Sequence, residues 1–263
     1  MDNMTLFTRF IKRTNNNTNI VYPFDYCEGL FRDNHNQWFL DNPLDTSNCD
    51  TFRSMFWGCE SLTSIPELDT SNGTDFSNMF RMCNSLTSIP ELDTSKGTTF
   101  CNMFWGCESL TSIPELDTSN GTDFSEMFRM CNSLTSIPEL DTSKGTTFYN
   151  MFWNCVSLTS IPELNLSNGT TFYNMFWNCV SLRHIRFKGI IPASIYFQQS
   201  SKLSLDSIKS ILTALANYTG TENEFVNTIY LNAASWDLIN ADGETSPDGT
   251  TWENYVLDKG WNV

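Results

Sequence analysis

The spacing of apolar residues along the chain organises this sequence. In the segment TDFSNMFRMC, apolar side chains are separated by three and four residues, and polar side chains fill most positions between them. This spacing predicts one apolar face of a short helix. Gly73 precedes the segment as a breaker, and Thr74 is its candidate N-cap. The apolar positions are Phe76, Met79, Phe80 and Cys83.

A second pattern precedes each such segment. The stretch SLTSIPELDTSN carries Leu62, Ile65 and Leu68 at intervals of three. It predicts a short strand from about Leu62 to Ile65, because Pro66 bars a longer regular strand. A turn rich in aspartate, serine and glycine follows.

Both patterns recur with a 24-residue period, and a cysteine marks each unit. A fixed period of this length is the signature of a solenoid. The predicted fold is therefore an α/β solenoid whose coils each contain a short strand, a turn and a short helix, with side chains of one type stacked in columns. The periodic cysteines are Cys59, Cys83, Cys107, Cys131, Cys155 and Cys179.

The repeats divide the chain into three predicted parts. Residues 1–34 are an N-terminal cap, and residues 35–187 are the solenoid, with His35 at the cysteine position of a degenerate first unit. Residues 188–263 are a capping segment of irregular strands and helices, since an open solenoid edge promotes aggregation unless it is covered.

Within the capping segment, LSLDSIKSILTALANYTG predicts an amphipathic helix with Ser204 as N-cap and Gly220 as its stop. We interpret VNTIYLN as a strand, ADGETSPDGT as a loop, TWENYVLDKG as a helix and GWNV as a closing strand. The apolar face of the first helix is Ile208, Ile211, Leu212 and Leu215.

The net charge of the chain limits the classes of partner that it can bind. The formal net charge is −15, which argues against a nucleic-acid partner and against an anionic membrane surface. It is compatible with a cation or a cationic partner. No apolar run approaches the roughly 20 residues that span a bilayer, and the N-terminus lacks the order of a secretory signal. We therefore expect no membrane insertion.

The nine cysteines do not suggest a disulfide framework. Six share one register, which predicts a column of reduced, buried thiols. Neighbouring cysteines about 5 Å apart leave a bridge geometrically open. The other three, Cys27, Cys49 and Cys101, are candidates for solvent exposure.

A longer, 48-residue period lies over the repeat. Residues 57–104 and 105–152 differ at two positions, where Asn78 becomes Glu126 and Cys101 becomes Tyr149. One column alternates tryptophan and arginine before ending in two tryptophans. Its members are Trp57, Arg81, Trp105, Arg129, Trp153 and Trp177.

This column is the candidate binding site, and two interpretations stay open. Guanidinium groups stacked on indoles contribute roughly 0.5–2 kcal/mol per contact. The column is either an aromatic platform for a glycan or a protein, or a self-satisfied ladder that stiffens the rod. Tyr149 and Tyr173 extend the aromatic surface near Trp153 and Trp177, so that end is the expected contact zone.

Two acidic columns offer a weaker alternative. Calcium between coils would relieve repulsion among stacked carboxylates, with Glu67, Asp69, Glu91 and Asp93 as the first possible ligands. In the competing interpretation the aspartates bond the backbone of their own turn and the glutamates face water. The two histidines, His35 and His184, lie at opposite ends of the array. We therefore expect no enzymatic activity and no cofactor.

The motif MFxxCxSLTSIPxLDTSxxTxF, with Phe56, Cys59, Leu62 and Ile65 at its centre, resembles the BspA-like leucine-rich repeats of bacterial surface proteins, some protozoa and phage genomes. The stretch from Leu203 to Trp261 resembles a terminal segment attached to such repeats.

The resemblance implies a right-handed α/β solenoid without a shared active site. It also implies a role in adhesion or protein binding. The expected function is recognition of a receptor protein or glycan from a phage virion, such as its tail fibre, or from a bacterial surface. Two alternatives remain. One is a spacer or decoration protein bound to other virion or surface proteins. The other is an intracellular effector that binds proteins.

Overall fold

The computed structural model describes residues 46–224 and 226–263. Within them the predicted stacking of successive coils in register is confirmed. Single parallel bridges join equivalent residues of neighbouring coils, from Thr51 to Asp75 and onward, one repeat at a time, to Thr171. The repeat region is therefore a rod of stacked turns.

Two phenylalanine ladders form the core of the rod. Neighbouring rings in each ladder are stacked with centroids 5.5–5.8 Å apart, and every ring is buried. Each coil thus supplies the contact surface for the next, which is why a lone repeat could not fold. One ladder contains Phe52, Phe76, Phe100, Phe124, Phe148 and Phe172, and the other contains Phe56, Phe80, Phe104, Phe128, Phe152 and Phe176.

The helix predicted in each repeat is wrong. The Phe76, Phe80 and Met82 amides donate to carbonyl oxygens of the next coil. The intervening amides of Met79 and Arg81 close local turns onto the residue three positions earlier. The segment therefore consists of consecutive turns whose hydrogen bonds alternate between the coil and its neighbour.

Left-handed backbone conformations explain why a helix cannot form here. Asn78 and Met82 have φ values of 57° and 61°, which an α-helix does not accommodate. Their equivalents in the other coils are also left-handed. A turn that repeats every four residues places apolar side chains at nearly the 3.6-residue interval of a helix. The pattern of buried residues was correct, and the backbone inferred from it was not.

The strand predicted from Leu62 to Ile65 is also wrong. These residues form no strand, and the Leu62 amide closes a local turn onto the Cys59 carbonyl at 3.1 Å. The parallel bridges from Thr51 to Thr171 lie instead at the start of the turn segment, and the predicted strand position bridges its neighbour only in the last repeat, between Ser160 and His184. Paired strands appear first where the repeat ends, as β1 (Leu164–Asn165) and β2 (Phe187–Lys188).

The coils become longer in the C-terminal segment. Strand β3 (Ile195–Phe197) pairs in parallel with β4 (Ile229–Leu231), and Thr228 bridges Asn262 near the chain end. Each of these coils has room for helices between its bridging residues. The helices are α1 (Leu205–Ala214), α2 (Ala233–Ala241) and α3 (Trp252–Asp258).

Helix α1 confirms the predicted N-cap but not the predicted end. The Ser204 side chain accepts from the Ser207 amide. The helix stops at Ala214, because Leu215 turns to an extended conformation and bridges Ile191. Lys259 Nζ donates to the Thr213 and Leu215 carbonyl oxygens at 2.9 and 2.7 Å, which satisfies acceptors at this end.

The remaining predictions in this segment had mixed outcomes. The strand in VNTIYLN and the helix in TWENYVLDKG are confirmed, whereas the closing strand predicted in GWNV is reduced to a single bridge at Asn262. Helix α2 was missed, although its N-cap Asn232 accepts from the Ser235 amide. None of the helices among residues 46–224 and 226–263 has the length and apolar character of a membrane span. The predicted N-terminal cap, Cys27 and His35 lie outside the described residues, and the three domain boundaries stay predictions.

Candidate functional site

The turn segments of successive coils form one face of the rod, which we call the turn face. It carries the tryptophan and arginine column. The Arg81 guanidinium lies 5.1 Å from the ring centroid of Trp57 and 3.8 Å from that of Trp105. Arg129 lies 4.5 and 4.6 Å from the centroids of Trp105 and Trp153. Both faces of the Trp105 indole are therefore covered.

The arginines are also held from the side. Arg81 Nη1 donates to Asn78 Oδ1 at 3.3 Å, and Arg129 Nη1 donates to Glu126 Oε2 at 2.8 Å. Burial lowers the pKa of Arg81, although an arginine stays charged in proteins. From Trp57 to Trp153 the arginines and indoles therefore cover one another as the ladder interpretation requires, although Arg81 Nε, Arg129 Nε and Trp105 Nε1 are buried without a hydrogen-bond partner among the described residues.

The end of the column differs. Trp177 is 38% exposed, and no cation of the described residues lies over its ring. Tyr149, Tyr173 and Val180, on the same coils, are 36%, 53% and 37% exposed. We call these four residues the aromatic patch. Two of them, Tyr149 and Tyr173, stack on each other, and exposed apolar side chains grouped on one part of a surface are typical of interaction sites.

The tyrosines of the patch continue into the C-terminal segment. Tyr149 stacks on Tyr173 with centroids 6.0 Å apart, and Tyr173 meets Tyr196 edge-on at 5.9 Å. Tyr196 in turn stacks on Tyr230 at 4.4 Å. Burial and these neighbouring phenols raise the pKa of Tyr196, so its hydroxyl stays protonated at neutral pH. Sequence reasoning missed Tyr196 and Tyr230, which occupy matching positions in the strands IYF and IYL.

The patch lies where uncharged residues replace the charged residues of the 48-residue period, and this change is visible in the sequence. Continuation of the 48-residue period would place glutamate, aspartate and arginine where Val156, Thr171 and Trp177 stand. Between Gly145 and Leu182 the only charged residue is Glu163. The departure from the longer period was the signal that could have located the patch, including Val180.

One carboxylate borders the patch. Asp123 Oδ1 accepts from Thr147 Oγ1 at 3.0 Å and from the Ser125 amide at 2.9 Å. Its equivalent one period earlier, Asp75, has Arg53 Nη1 at 3.8 Å. Among the described residues no lysine or arginine lies within 4.0 Å of Asp123. Within the described ranges Asp123 is therefore an anion without a salt bridge, and it is hydrogen-bonded to the coil that carries Tyr149.

The acidic columns follow the interpretation in which aspartates bond their own turns. Asp69 Oδ1 accepts from the Ser71 amide at 3.1 Å and from Ser71 Oγ at 2.7 Å. These bonds hold the pKa of Asp69 below its usual value, and those from Ser95 lower the pKa of Asp93. The Glu67 and Glu91 side chains are exposed. The described residues contain no group of three or more potential ligands for a metal ion, so the geometry gives the calcium alternative no support.

The cysteine column is reduced and buried. The thiols donate to the carbonyl of a phenylalanine on the preceding coil, as Cys83 does to Phe56 at 3.0 Å. The expected exposure of Cys49 is wrong, since its side chain is 6% exposed. Cys101 is half-buried, and burial, with the nearby carboxylates of Asp123 and Glu126, raises the pKa of its thiol to about 12. Such a thiol is a poor nucleophile.

Comparison with known proteins identifies the class. Residues 18–112 and 87–186 match the family described as Mycoplasma protein of unknown function, DUF285. These matches span well over half of the chain, which therefore belongs to this family, and its repeats are of the BspA-like leucine-rich type.

Among solved structures, a leucine-rich repeat protein of T. pallidum is similar over 76% of this chain and 78% of its own. The sequence identity is 15% and the TM-score is 0.37. At that score the likeness carries no argument about function. No curated protein matches the chain.

Proposed function

We propose that this protein is a non-enzymatic binding solenoid that recognises a receptor protein or a glycan through the aromatic patch. The observation that carries the proposal is the exposure of Tyr149, Tyr173, Trp177 and Val180 on a rigid stack of coils. Tryptophan and tyrosine are the side chains most enriched at energetic centres of interfaces. The four side chains of the patch also offer two phenolic hydroxyls and one indole N–H for hydrogen bonds.

The rod supports this role mechanically. The two buried phenylalanine ladders fix each turn against the next, and the arginine–tryptophan stacks contribute as far as Trp153. Side chains on such a scaffold lose little further freedom when a partner docks, and preorganisation of this kind increases affinity.

A double substitution tests the proposal. Tyr173→Ser with Trp177→Ser removes the centre of the patch and, because both side chains are exposed, should change the free energy of unfolding by about 1 kcal/mol or less. Glycan arrays and a displayed random-peptide library should yield ligands that bind the parent protein and not this variant. Leu238→Ser, which alters a 43% exposed side chain on α2, is the control and should retain binding. Ligands that bind all three proteins alike would contradict the proposal.

We further propose display on a phage virion or a bacterial surface, on the basis of the repeat type. Mass spectrometry of purified particles and protease shaving of intact cells are the direct tests. Recovery of the chain only from the cell interior would favour the effector alternative.

The spacer alternative predicts that incorporation into particles survives the double substitution of the patch and fails when residues 203–263 are removed. Loss of incorporation in the double variant alone would count against it.

A further inference from the structure

We infer that the partner of the aromatic patch is a protein that presents a lysine or arginine beside an apolar contact surface, with the cation bound at Asp123. This inference rests on the proposed function and specifies the chemistry of the partner. It follows from the stacking of the tyrosine rings, from the distribution of charge along the rod and from the pairing of Asp123.

The stacking of the tyrosine rings disfavours a glycan on the tyrosine row, although no ring or cation of the described residues is stacked on the exposed Trp177 indole. A sugar binds an aromatic side chain by lying flat against a free ring face. Tyr173 has Tyr149 stacked on one side at 6.0 Å and Tyr196 against it edge-on at 5.9 Å. Tyr196 has Tyr230 stacked on it at 4.4 Å. The tyrosine row therefore offers ring edges and hydroxyls, which suit the apolar and hydrogen-bonding side chains of a protein.

The distribution of charge disfavours a second copy of this chain and favours a basic partner. Residues 46–141 carry 14 acidic and four basic side chains, residues 142–187 carry one acidic and three basic ones, and residues 188–263 carry nine acidic and four basic ones. The uncharged patch lies between these two acidic regions. Two such molecules repel each other, whereas a basic protein is attracted from a distance and oriented by the field.

Asp123 supplies a defined contact at the edge of the patch. Its Oδ1 accepts from Thr147 Oγ1 at 3.0 Å, so the carboxylate adjoins the coil that carries Tyr149. Asp75 stands at the same position one period earlier but already faces Arg53 at 3.8 Å. The carboxylate of Asp123 has no such counter-ion among the described residues. A partner lysine or arginine would complete at Asp123 the pair that Arg53 forms with Asp75.

The test starts from a displayed random-peptide library. Peptides that bind the parent protein are selected, and those that also bind the double variant Tyr173→Ser with Trp177→Ser are removed. We expect the surviving peptides to combine aromatic or aliphatic residues with an excess of lysine and arginine. Their affinity at low salt should fall about three- to tenfold in Asp123→Asn, and the salt dependence of binding should weaken with it. Asp75→Asn is the matched control and should stay within about twofold. Asparagine preserves the acceptor for the Ser125 amide, so the turn should stay folded.

Each other outcome has a definite meaning. Peptides that depend on Tyr173 and Trp177 but tolerate Asp123→Asn, or that carry no cationic excess, would overturn the inference and leave the proposed function standing. A glycan signal that the double variant loses would replace the protein partner with a sugar. Self-association of the parent protein that the double variant abolishes would replace it with a second copy. If no peptide or glycan depends on the patch, the proposed function itself fails.

Discussion

The two halves of the turn face share one backbone and one core, yet their surfaces differ. From Trp57 to Arg129 the exposed columns are charged and paired with each other, and each arginine covers two indoles. From Tyr149 to Val180 the same columns are uncharged and aromatic, and four side chains are left exposed. The phenylalanine ladders run through both halves without interruption. In this rod the buried columns determine the fold, and function is expected where the repeat departs from its own period.

We call the half from Trp57 to Arg129 the paired half. Its packing depends on side chains that alternate between neighbouring coils. Gly106 has a φ of +79°, and a Cβ atom there would lie 2.8 Å from Met82 Sδ. The methionine of one coil thus occupies the space that a side chain would fill in the next. Together with the Arg81 contact on Trp105, this makes the 48-residue pair of coils the structural unit of the paired half.

Two deletions of different length should show the largest difference in stability. Removal of residues 105–152 leaves Arg81 facing Trp153, a pairing equivalent to that of Arg129 with Trp153. Removal of residues 105–128 instead places Arg81 directly beside Arg129 and eliminates Glu126. We expect the shorter deletion to be less stable than the longer one by about 2 kcal/mol, although it keeps one more coil. Thermal and urea unfolding measure this difference.

A rescue variant serves as the control for the deletions. Arg129→Trp with Met130→Gly, introduced into the shorter deletion, restores an indole beside Arg81 and a glycine beside Met82. We expect it to recover most of the lost stability. If the shorter deletion proves as stable as the longer one without rescue, the 48-residue unit has no energetic basis.

Single substitutions in the two halves should also differ in the free energy of unfolding, but by less than the two deletions do. Arg129→Ala uncovers two indoles and leaves Glu126, whose side chain is 16% exposed, without its cation. We expect a loss of about 1–3 kcal/mol in the free energy of unfolding. Trp177→Ser should cost about 0.5 kcal/mol or less. Equal losses would show that the column is one ladder throughout and would remove the distinction between the halves.

Two glycine substitutions isolate the contact between coils. Gly58 and Gly106 occupy equivalent positions with φ of +74° and +79°, and among the described residues, which begin at residue 46, a Cβ at Gly58 meets nothing within 4 Å. On these contacts Gly58→Ala should cost about 1 kcal/mol for its left-handed backbone. Gly106→Ala should cost about 1 kcal/mol more because of overpacking against Met82, and the excess should disappear in the Met82→Ala background. Urea unfolding of the four variants tests this.

The sequence predicted the register and the buried positions, but not the backbone that places them. Phe76, Met79, Phe80 and Cys83 are buried as their spacing indicated. The helix failed because amides such as that of Phe80 bond the neighbouring coil, and no local pattern reveals an acceptor that lies in the next repeat. The arginine–tryptophan stacks could be predicted because columns follow directly from the period. The exposure of Trp177 also depends on the missing arginine, which becomes significant only when the 48-residue period is extended past residue 152.

The smallest expected effect concerns acid stability, and it again distinguishes the ends of the array. Serine donors lower the pKa of Asp69, Asp93 and Asp141 in the folded state. A lowered folded pKa means that the stabilisation is present above the unfolded value, about 3.9, and is lost as the pH falls through the folded value. The equivalent in the last coil is Asn165, whose Oδ1 accepts from the Ser167 amide at 3.1 Å and does not titrate.

Below about pH 4 the turns at Asp69, Asp93 and Asp141 should therefore loosen before the turn at Asn165. Hydrogen exchange of the Ser71, Ser95 and Ser143 amides should accelerate relative to that of Ser167 when the pH is lowered from 6 to 3, after correction for intrinsic rates. Replacement of Asp69, Asp93 and Asp141 by asparagine should abolish that difference, because the amide oxygen remains an acceptor at every pH. Unchanged relative protection in the parent protein at pH 3 would show that phenylalanine stacking alone holds these turns and that the aspartates are dispensable.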